Sequence, residues 1–375
     1  MLPLILALIT LNGMDAAAVF LGIGLAYILV ALVYRLPIPV QPLKSVSAIA
    51  LAQGLAPVVI VAGAIWNAVA FLSMGAFQLD RWVHQAFPKP VVRGIQLGLA
   101  WLLLKSAWTL IRKTPDDWPG VLSIWGQSVG WQWILAGSAA LILVLILTRH
   151  PDLAALGVVV FGIGVSVYTF GLPPLELHFT LPSLLPLVPT RQQLWLGLWL
   201  LAVPQIPLSL GNSIYATADA AREYFGEKAA PVTERKLMFS MGAIDAMTAV
   251  LGGVPLCHGC GGLTAHYRLG ARTGAAPLML GVIFLVLGLF GGEAGMQIFQ
   301  LLPFPVLGVL LAYVGFQHLL LARDLRGWRA WSTALLILAL AIWTGNLAVG
   351  FASGAVFYFA SGWIVRRINP AKEQV

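Results

Sequence analysis

Charged side chains are scarce in this chain of 375 residues, since Asp, Glu, Lys and Arg make up 10% of it while 59% is hydrophobic. This balance leaves too little polar surface to cover a water-soluble globule of this size. The mean hydropathy of +0.89 is typical of a chain whose solvent is lipid. We therefore expect an all-α polytopic membrane protein that crosses the lipid bilayer many times.

Cysteine is also scarce, with only Cys257 and Cys260 present. Two cysteines are too few for a disulfide framework, and without a second pair of ligands they predict neither a metal site nor another cofactor. The net charge of +8 is explained by membrane topology. When successive spans alternate in direction, most of the basic residues fall on the same side of the membrane. This bias predicts a cytoplasmic C-terminus in the inner membrane and argues against a nucleic-acid partner.

Long stretches without charged residues predict the spans. A helix needs about 20 apolar residues to cross a bilayer, so the chain should contain about thirteen to fourteen transmembrane segments. The first of them is expected to be truncated, and residues 78–87 to form an interfacial turn. The predicted spans are 2–11, 15–34, 37–54, 55–77, 92–111, 131–148, 153–171, 192–211, 237–252, 253–267, 274–292, 303–322, 331–345 and 347–365.

A Pro-rich stretch at residues 172–190 divides the chain and is expected to be an external linker. About seven spans then fall in each half. Because that number is odd, the second half would sit upside down relative to the first. The prediction is a 7+7 inverted repeat, with residues 1–171 as the first repeat and 191–375 as the second.

The third segment of each half is broken by proline or glycine: RLPIPVQPLKSVSA (Arg35 to Ala48) and GGVPLCHGCGGLTA (Gly252 to Ala265). Prolines forbid helix from Pro37 to Gln41, so this stretch should run extended for about 16 Å, roughly half of the hydrocarbon core. We expect Pro42 at the first position of a short helix, and a second half-helix opening at His258. Two half-helix N-termini that meet at mid-membrane predict an anion site.

Lys44 is the sharpest single candidate for anion binding, because an uncompensated ammonium in the membrane costs at least ~2.5–3.5 kcal/mol. Its alternative is to snorkel back to the membrane surface. The alternative role of Gln41 and His258 is to hydrogen-bond the backbone groups that are left unpaired where the helices are interrupted. Asp245, alone in an apolar span, and His258 are candidates for proton coupling. The predicted substrate-binding residues are Gln41, Lys44, Ser45, Gln205, Asn212, Cys257, His258, Gly259, Gly261 and Gly262.

The stretches PIPVQPLKSVSA and VPLCHGCGGLTAHYRLGARTG resemble the two signature stretches of the molybdate transporter family, a relative of sulfate permeases and nucleobase transporters. The resemblance extends to YRLP and PQIPLSLGN and covers most of the chain. It implies an inverted repeat with core and gate regions, oxyanion uptake across the cytoplasmic membrane, and a homodimer. Two departures are the start at Met1, which omits the first half of the first span, and Cys260 in place of a small residue. The family's motif residues would be Gln41, Lys44, Cys257, His258 and the glycines after it.

Together these features predict a secondary active transporter that imports molybdate by alternating access, coupled to protons. A sulfate or other oxyanion permease is the nearest alternative, because sulfate is also a tetrahedral dianion. Such permeases usually carry a soluble C-terminal domain, whereas this chain ends at Val375, soon after its last predicted span. An anion channel is a more distant alternative. An enzyme is not expected, since the sequence contains no HExxH motif and no paired carboxylates in one span.

Overall fold

The computed structural model describes residues 2–78, 88–113, 121–124, 127–172, 179, 188–290 and 301–368. Within these ranges the chain forms fourteen helices and two pairs of short strands, which confirms the predicted helical class. The predicted turn at 78–87 and most of the predicted linker at 172–190 lie outside the described residues. Residues 121–124 and 127–130 form a β-hairpin that was not predicted from the sequence.

The first half contributes seven helices and three strands. Asp15 begins the second helix by accepting a hydrogen bond from the backbone N–H of Ala18, as expected of an N-cap. The elements are α1 (Leu2–Asn12), α2 (Ala16–Tyr34), β1 (Gln41–Pro42), α3 (Lys44–Gln53), α4 (Pro57–Phe77), α5 (Lys89–Arg112), β2 (Val121–Ile124), β3 (Gln127–Gly130), α6 (Trp131–Leu147) and α7 (Ala154–Phe170).

The second half contributes seven helices and one strand. A 3₁₀ turn, Leu321–Asp324, extends the twelfth helix. The elements are α8 (Arg191–Ala229), α9 (Glu234–Leu251), β4 (Leu256–Cys257), α10 (Cys260–Arg268), α11 (Ala275–Phe290), α12 (Phe304–Leu320), α13 (Trp328–Thr344) and α14 (Leu347–Ile368).

Five of the described helices are long and apolar enough to cross a membrane: α2, α4, α5, α8, and α12 with its 3₁₀ turn. Six shorter apolar helices accompany them. A chain with this many apolar helices is a multi-pass membrane protein.

One predicted boundary is wrong. Helix α8 extends over Arg191–Ala229, whereas the predicted span covers only residues 192–211. Two π-helical segments, Gly197–Ala202 and Leu210–Tyr215, lie within it. Between them, Pro204 and Pro207 provide no N–H for the helical ladder. The wider π turns keep the chain helical through this proline-rich region and past Gly211, where the predicted span ends.

The start of the first half-helix is a second correction, since Pro42 lies in a strand and not in a helix. Strand β1 pairs antiparallel with β4, with Gln41 opposite Cys257 and Pro42 opposite Leu256. The backbone N–H of Leu43 then donates to the carbonyl of Pro255 at 3.0 Å. A proline is tolerated at the end of so short a ladder because its missing N–H breaks no other pair. Helix α3 therefore begins at Lys44, and α10 begins at Cys260 instead of at His258.

The helices pack into two groups. The core group consists of α1–α4 and α8–α11, in which α2 packs on α11 and α4 on α9. The gate group consists of α5–α7 and α12–α14, in which α5 packs on α12. The crossed pairing of α2 with α11 and α4 with α9 is the pattern that two inverted repeats would produce, although the repeat itself stays a prediction.

Helices α2 and α11 approach closely enough to require glycine. A Cβ added to Gly24 would lie 2.7 Å from the backbone nitrogen of Leu285 and 2.9 Å from the carbonyl oxygen of Gly281. Small residues at such a contact let two membrane helices maximise dispersion contacts where no hydrophobic effect favours their association. This contact fixes the first half of the core group against the second.

Candidate anion site

The two half-helices begin at a common point, because strands β1 and β4 that precede them are paired. Each helix start offers backbone N–H groups that have no partner within the helix. At such a position, free donors and the helix dipole both favour a negative charge. The strand pairing thus brings two potential anion-binding helix ends into one region, as the broken segments predict.

Gln205 occupies the donors at the start of α3. Its Oε1 accepts hydrogen bonds from the backbone N–H of Ser45 at 2.9 Å and of Val46 at 3.3 Å. Its Nε2 donates to the hydroxyl of Ser209 at 2.9 Å. The amide oxygen of Gln205 therefore takes the place that an oxyanion oxygen would take at this helix end. An anion that binds here must either displace Gln205 or share its donors.

A cavity of about 50 Å³ lies beside this helix end, between the core group and the gate group. It is several times larger than the ~10–15 Å³ that one water molecule requires. Three amide side chains and one ammonium group supply donors, and leucines complete the wall. The lining residues are Lys44, Gln96, Leu99, Gln205, Leu208, Asn212, Ser213, Cys257, His318 and Leu321.

Lys44 is the first residue of α3 and is half-buried at the cavity wall. Its ammonium group makes no hydrogen bond and no ion pair with any residue that the structure describes. A cation left without a counter-ion in a low-dielectric setting is costly, whereas an anion in the cavity would compensate it. Lys44 is therefore placed to act as the counter-charge of an anionic ligand.

Four of the predicted binding residues line the cavity: Lys44, Gln205, Asn212 and Cys257. Ser45 lies next to Lys44 and is buried, and its hydroxyl has no hydrogen-bond partner among the described residues.

The remaining candidates are not among the residues that line the cavity. Gln41 packs against Gly259 and Gly262, where an added Cβ at Gly262 would overlap Nε2 of Gln41. Gly261 faces open space, with no atom within 4 Å of an added Cβ. Gly262 is thus required for the packing of α10 on Gln41, and Gly261 is not.

His258 is fully buried and does not line the cavity. Its Nδ1 donates to the carbonyl of Pro39 at 3.1 Å, and its Nε2 is 2.8 Å from the hydroxyl of Ser240. Ser240 in turn bonds the hydroxyl of Tyr34 at 2.7 Å. Both ring nitrogens of His258 are therefore engaged, and the side chain joins the extended stretch before β1 to helices α2 and α9.

Asp245 is also fully buried, on the α9 side of strand β4. Its Oδ1 accepts a hydrogen bond from the backbone N–H of Leu256 at 2.7 Å. Its Oδ2 has no hydrogen-bond partner among the described residues. Asp245 therefore satisfies a donor that the broken backbone leaves free, and it lies outside the set of side chains that line the cavity.

Two polar side chains that the gate group brings to the cavity were not predicted: Gln96 on α5 and His318 on α12. Oε1 of Gln96 accepts from Arg93 at 2.8 Å, and Arg93 also bonds the carboxylate of Asp324. A signal for them was available, because each is a polar residue within a predicted span. They supply the wall that the gate group contributes.

Metal binding has no support from side-chain clustering. Within the described ranges, no three His, Cys, Asp or Glu side chains come together in a way that could hold a metal ion.

Paired half-helix ends beside a cavity that contains a lysine, within a multi-pass helical fold, are an arrangement that many secondary transporters share. The family described as "Molybdate transporter of MFS superfamily" matches residues 1–103 and 197–317. These ranges cover more than half of the chain and include both half-helices. The chain belongs to the molybdate transporter family, as its two signature stretches indicate.

Similar proteins occur in Arabidopsis thaliana and Chlamydomonas reinhardtii. The chain is 28% identical to Molybdate transporter 2 of Arabidopsis thaliana over 401 residues, covering 95% of this chain and 83% of that protein. It is 26% identical to Molybdate transporter 1 of Chlamydomonas reinhardtii over 462 residues, covering 95% of this chain and 88% of that protein. Both relatives are named as molybdate transporters.

Solved structures share the fold at low sequence identity. The transmembrane domain of a cyanobacterium bicarbonate transporter, BicA, superposes with a TM-score of 0.66 at 15% identity, covering 95% of this chain and 93% of that one. The murine anion transporter Slc26a9 in its inward-facing state gives a TM-score of 0.61 at 16% identity, covering 97% and 68%. These similarities establish the fold class alone.

Proposed function

We propose that this protein is a secondary active transporter that imports molybdate across the cytoplasmic membrane by alternating access, coupled to protons. The observation that carries the proposal is Lys44, an ammonium without a partner among the described residues, at the start of a half-helix and beside a cavity lined by amides. The relatives that cover nearly the whole chain are named molybdate transporters.

The donors around the cavity suit a tetrahedral oxyanion. Lys44 provides charge, the amides of Asn212 and Gln96 provide N–H groups, and the backbone at the start of α3 provides two more donors if Gln205 moves aside. Four oxygens that point to different sides of the cavity can be satisfied by donors on several elements. In a site shielded from water, each charge-assisted hydrogen bond is stronger than a neutral one.

Gln41, Ser45, Cys257, His258 and the glycines after it belong to the proposed site in two ways. Cys257 and the backbone N–H of Ser45 would border the anion directly, while Gln41 and His258 hold the half-helix ends in position. For Gly259 and Gly262 this role follows from their contacts with Gln41. The cytoplasmic position of the C-terminus and a homodimeric state also form part of the proposal.

Alternating access is proposed because the cavity lies where the core and gate groups meet. Residues of α3, α8 and β4 form one wall, and residues of α5 and α12 form the other. A movement of one group against the other would open the same site first to one side of the membrane and then to the other.

Uptake of labelled molybdate by proteoliposomes tests the proposal. Lys44→Met should abolish saturable uptake, whereas Lys105→Met should retain it, because Lys105 is an exposed lysine in helix α5 that does not line the cavity. An imposed inward proton gradient should accelerate uptake, and a protonophore should remove that acceleration.

Three results would contradict parts of the proposal. Uptake unaffected by Lys44→Met would move the site elsewhere. Sulfate transported in preference to molybdate would favour a sulfate permease. Flux that fails to saturate and ignores the proton gradient would favour an anion channel.

A further inference from the structure

Lys44 and His318 are the two side chains, among the described residues that line the cavity, that can carry a positive charge. His318 lies on the wall opposite to Lys44. It lies in the last turn of α12, is 6% exposed, and lines the cavity together with Leu321. None of the functions assigned so far uses it.

The hydrogen bond that His318 makes fixes the position of its proton. Nδ1 lies 2.9 Å from the carbonyl oxygen of Val314 on the same helix. A carbonyl can only accept, so Nδ1 carries the hydrogen in the neutral ring, and Nε2 is left with a lone pair. Nε2 makes no hydrogen bond to any residue that the structure describes.

The protonation state of Nε2 decides whether this wall attracts or repels an anion. A neutral ring presents a lone pair to the cavity, which disfavours an oxyanion oxygen nearby. A protonated ring presents an N–H donor and a full positive charge. Among the described residues that line the cavity, Lys44 is the only lysine or arginine, and its ammonium group balances one of the two charges of a tetrahedral dianion. The second negative charge would then be met only by helix ends and neutral donors, without a second full positive charge, in a low-dielectric site.

We propose that His318 takes up one proton at Nε2 when a dianionic oxyanion binds opposite Lys44, so that anion and proton enter the same cavity together. This inference rests on the proposed transport function and names the group that couples protons to it. Lys44 and protonated His318 neutralise the dianion from the core wall and the gate wall respectively. The same pairing selects for anion charge, because a monoanion is already balanced by Lys44.

The other groups near His318 do not offer an alternative proton site of equal standing. Helix α5, which packs on α12, contributes Gln96 and Leu99 to the cavity, and neither titrates. The described part of helices α1 and α6 contains no titratable side chain, and Tyr168 of α7 is almost fully exposed. Besides Lys44 and His318, the thiol of Cys257 is the only titratable group among the described residues that line the cavity.

The two proton-coupling candidates that the sequence favours lie outside the set of residues that line the cavity. His258 uses both ring nitrogens on Pro39 and Ser240. Asp245 uses Oδ1 on the backbone N–H of Leu256, and its Oδ2 has no hydrogen-bond partner among the described residues. Neither side chain lines the cavity, so neither can meet an anion there without a rearrangement of its hydrogen bonds.

Calorimetric titration of the purified full chain with molybdate tests the proposal. The heat is measured from pH 6 to 8, where molybdate is a dianion, in pairs of buffers that differ in ionisation enthalpy, which gives the number of protons taken up per anion. For the wild type we expect close to one proton near the upper end of this range. Linkage then makes the dissociation constant rise about tenfold per pH unit there.

Two substitutions separate the roles of the ring nitrogens. His318→Asn keeps a donor near Val314, and His318→Gln places an uncharged amide near Nε2. Both should bind molybdate more weakly at pH 6, with proton uptake lost and the pH slope abolished. His150→Gln is the matched control, because His150 is exposed on the turn after α6 and should leave proton uptake unchanged. A thermal unfolding curve establishes that each variant is folded.

The outcomes distinguish this inference from the proposed function. Molybdate binding by the wild type without proton uptake, or proton uptake that persists in both His318 variants, overturns the inference and leaves the transporter intact. No binding of molybdate or sulfate by the wild type at any pH overturns the proposed function and this inference with it.

Discussion

Replacing Gly262 by alanine should disrupt the packing of α10 on Pro39 and Gln41. The added Cβ would lie 2.8 Å from Cβ and 3.0 Å from Cγ of Pro39, and it would overlap Nε2 of Gln41. Pro39 cannot move aside easily, because its ring is rigid and its carbonyl accepts from His258. Overpacking of this kind costs about 1–3 kcal/mol.

Gly261→Ala is the matched control in the same turn of α10. No atom lies within 4 Å of a Cβ added there. Both substitutions gain the same helix propensity, up to about 1 kcal/mol, so this gain cancels in the comparison. Gly262→Ala should therefore be less stable than Gly261→Ala by about 1–3 kcal/mol, measured by equilibrium unfolding in detergent micelles with tryptophan fluorescence.

A second substitution identifies the contact responsible. Gln41→Ala removes the side chain that the new methyl group would overlap, so it should restore part of the stability that Gly262→Ala loses. A coupling free energy above about 0.5 kcal/mol in the double-mutant cycle would support the contact. Equal stability of the two glycine variants, or no coupling with Gln41, would refute the packing described for Gly262 against Pro39 and Gln41.

Three further predictions follow from hydrogen bonds away from the cavity. Asp245→Asn retains an acceptor for the backbone of Leu256 and should keep proton-driven uptake, whereas Asp245→Ala should lower the unfolding free energy by about 1–3 kcal/mol; a folded Asp245→Asn protein without proton coupling would make Asp245 the coupling group. His258→Ala should lose a similar amount, measured by thermal unfolding, with partial recovery in His258→Gln. Asp324→Asn should change stability by less than about 1 kcal/mol, because its ion pairs with Lys89 and Arg93 are partly exposed; a larger loss would indicate that Arg93 supports Gln96 at the cavity.

The broken segments were readable from the sequence because proline and glycine act locally. A proline removes its own N–H whatever surrounds it, so the extended stretch before α3 follows from Pro37 and Pro39 alone. Lys44 was readable for a similar reason, since a charge in an apolar span is costly in any fold. The exact start of α3 was missed, because it depends on the pairing of Pro42 with Leu256, and residues so distant in the chain have no local signal.

Gln205 shows the same limit at the level of a single side chain. The sequence placed it near the site, but its role as the cap of α3 requires a contact across 160 residues. The same holds for His258, whose residue type fits an anion ligand, a proton site and a backbone partner equally well. Its hydrogen bonds to Pro39 and Ser240 distinguish these roles, and both partners come from other elements.

The gate wall was missed for a geometric reason. Helices α5 and α12 are apolar around most of their circumference, so their sequences do not indicate which face meets the core group. A shift of one residue rotates a side chain by about 100° around the helix, which would carry His318 from the cavity to the lipid. The core wall contains segments broken by proline and glycine, which can be recognised in the sequence. The gate wall consists of regular helices, which carry no such signal. The sequence alone therefore indicates the wall that contains Lys44, and only the packing of the helices reveals the wall that contains His318.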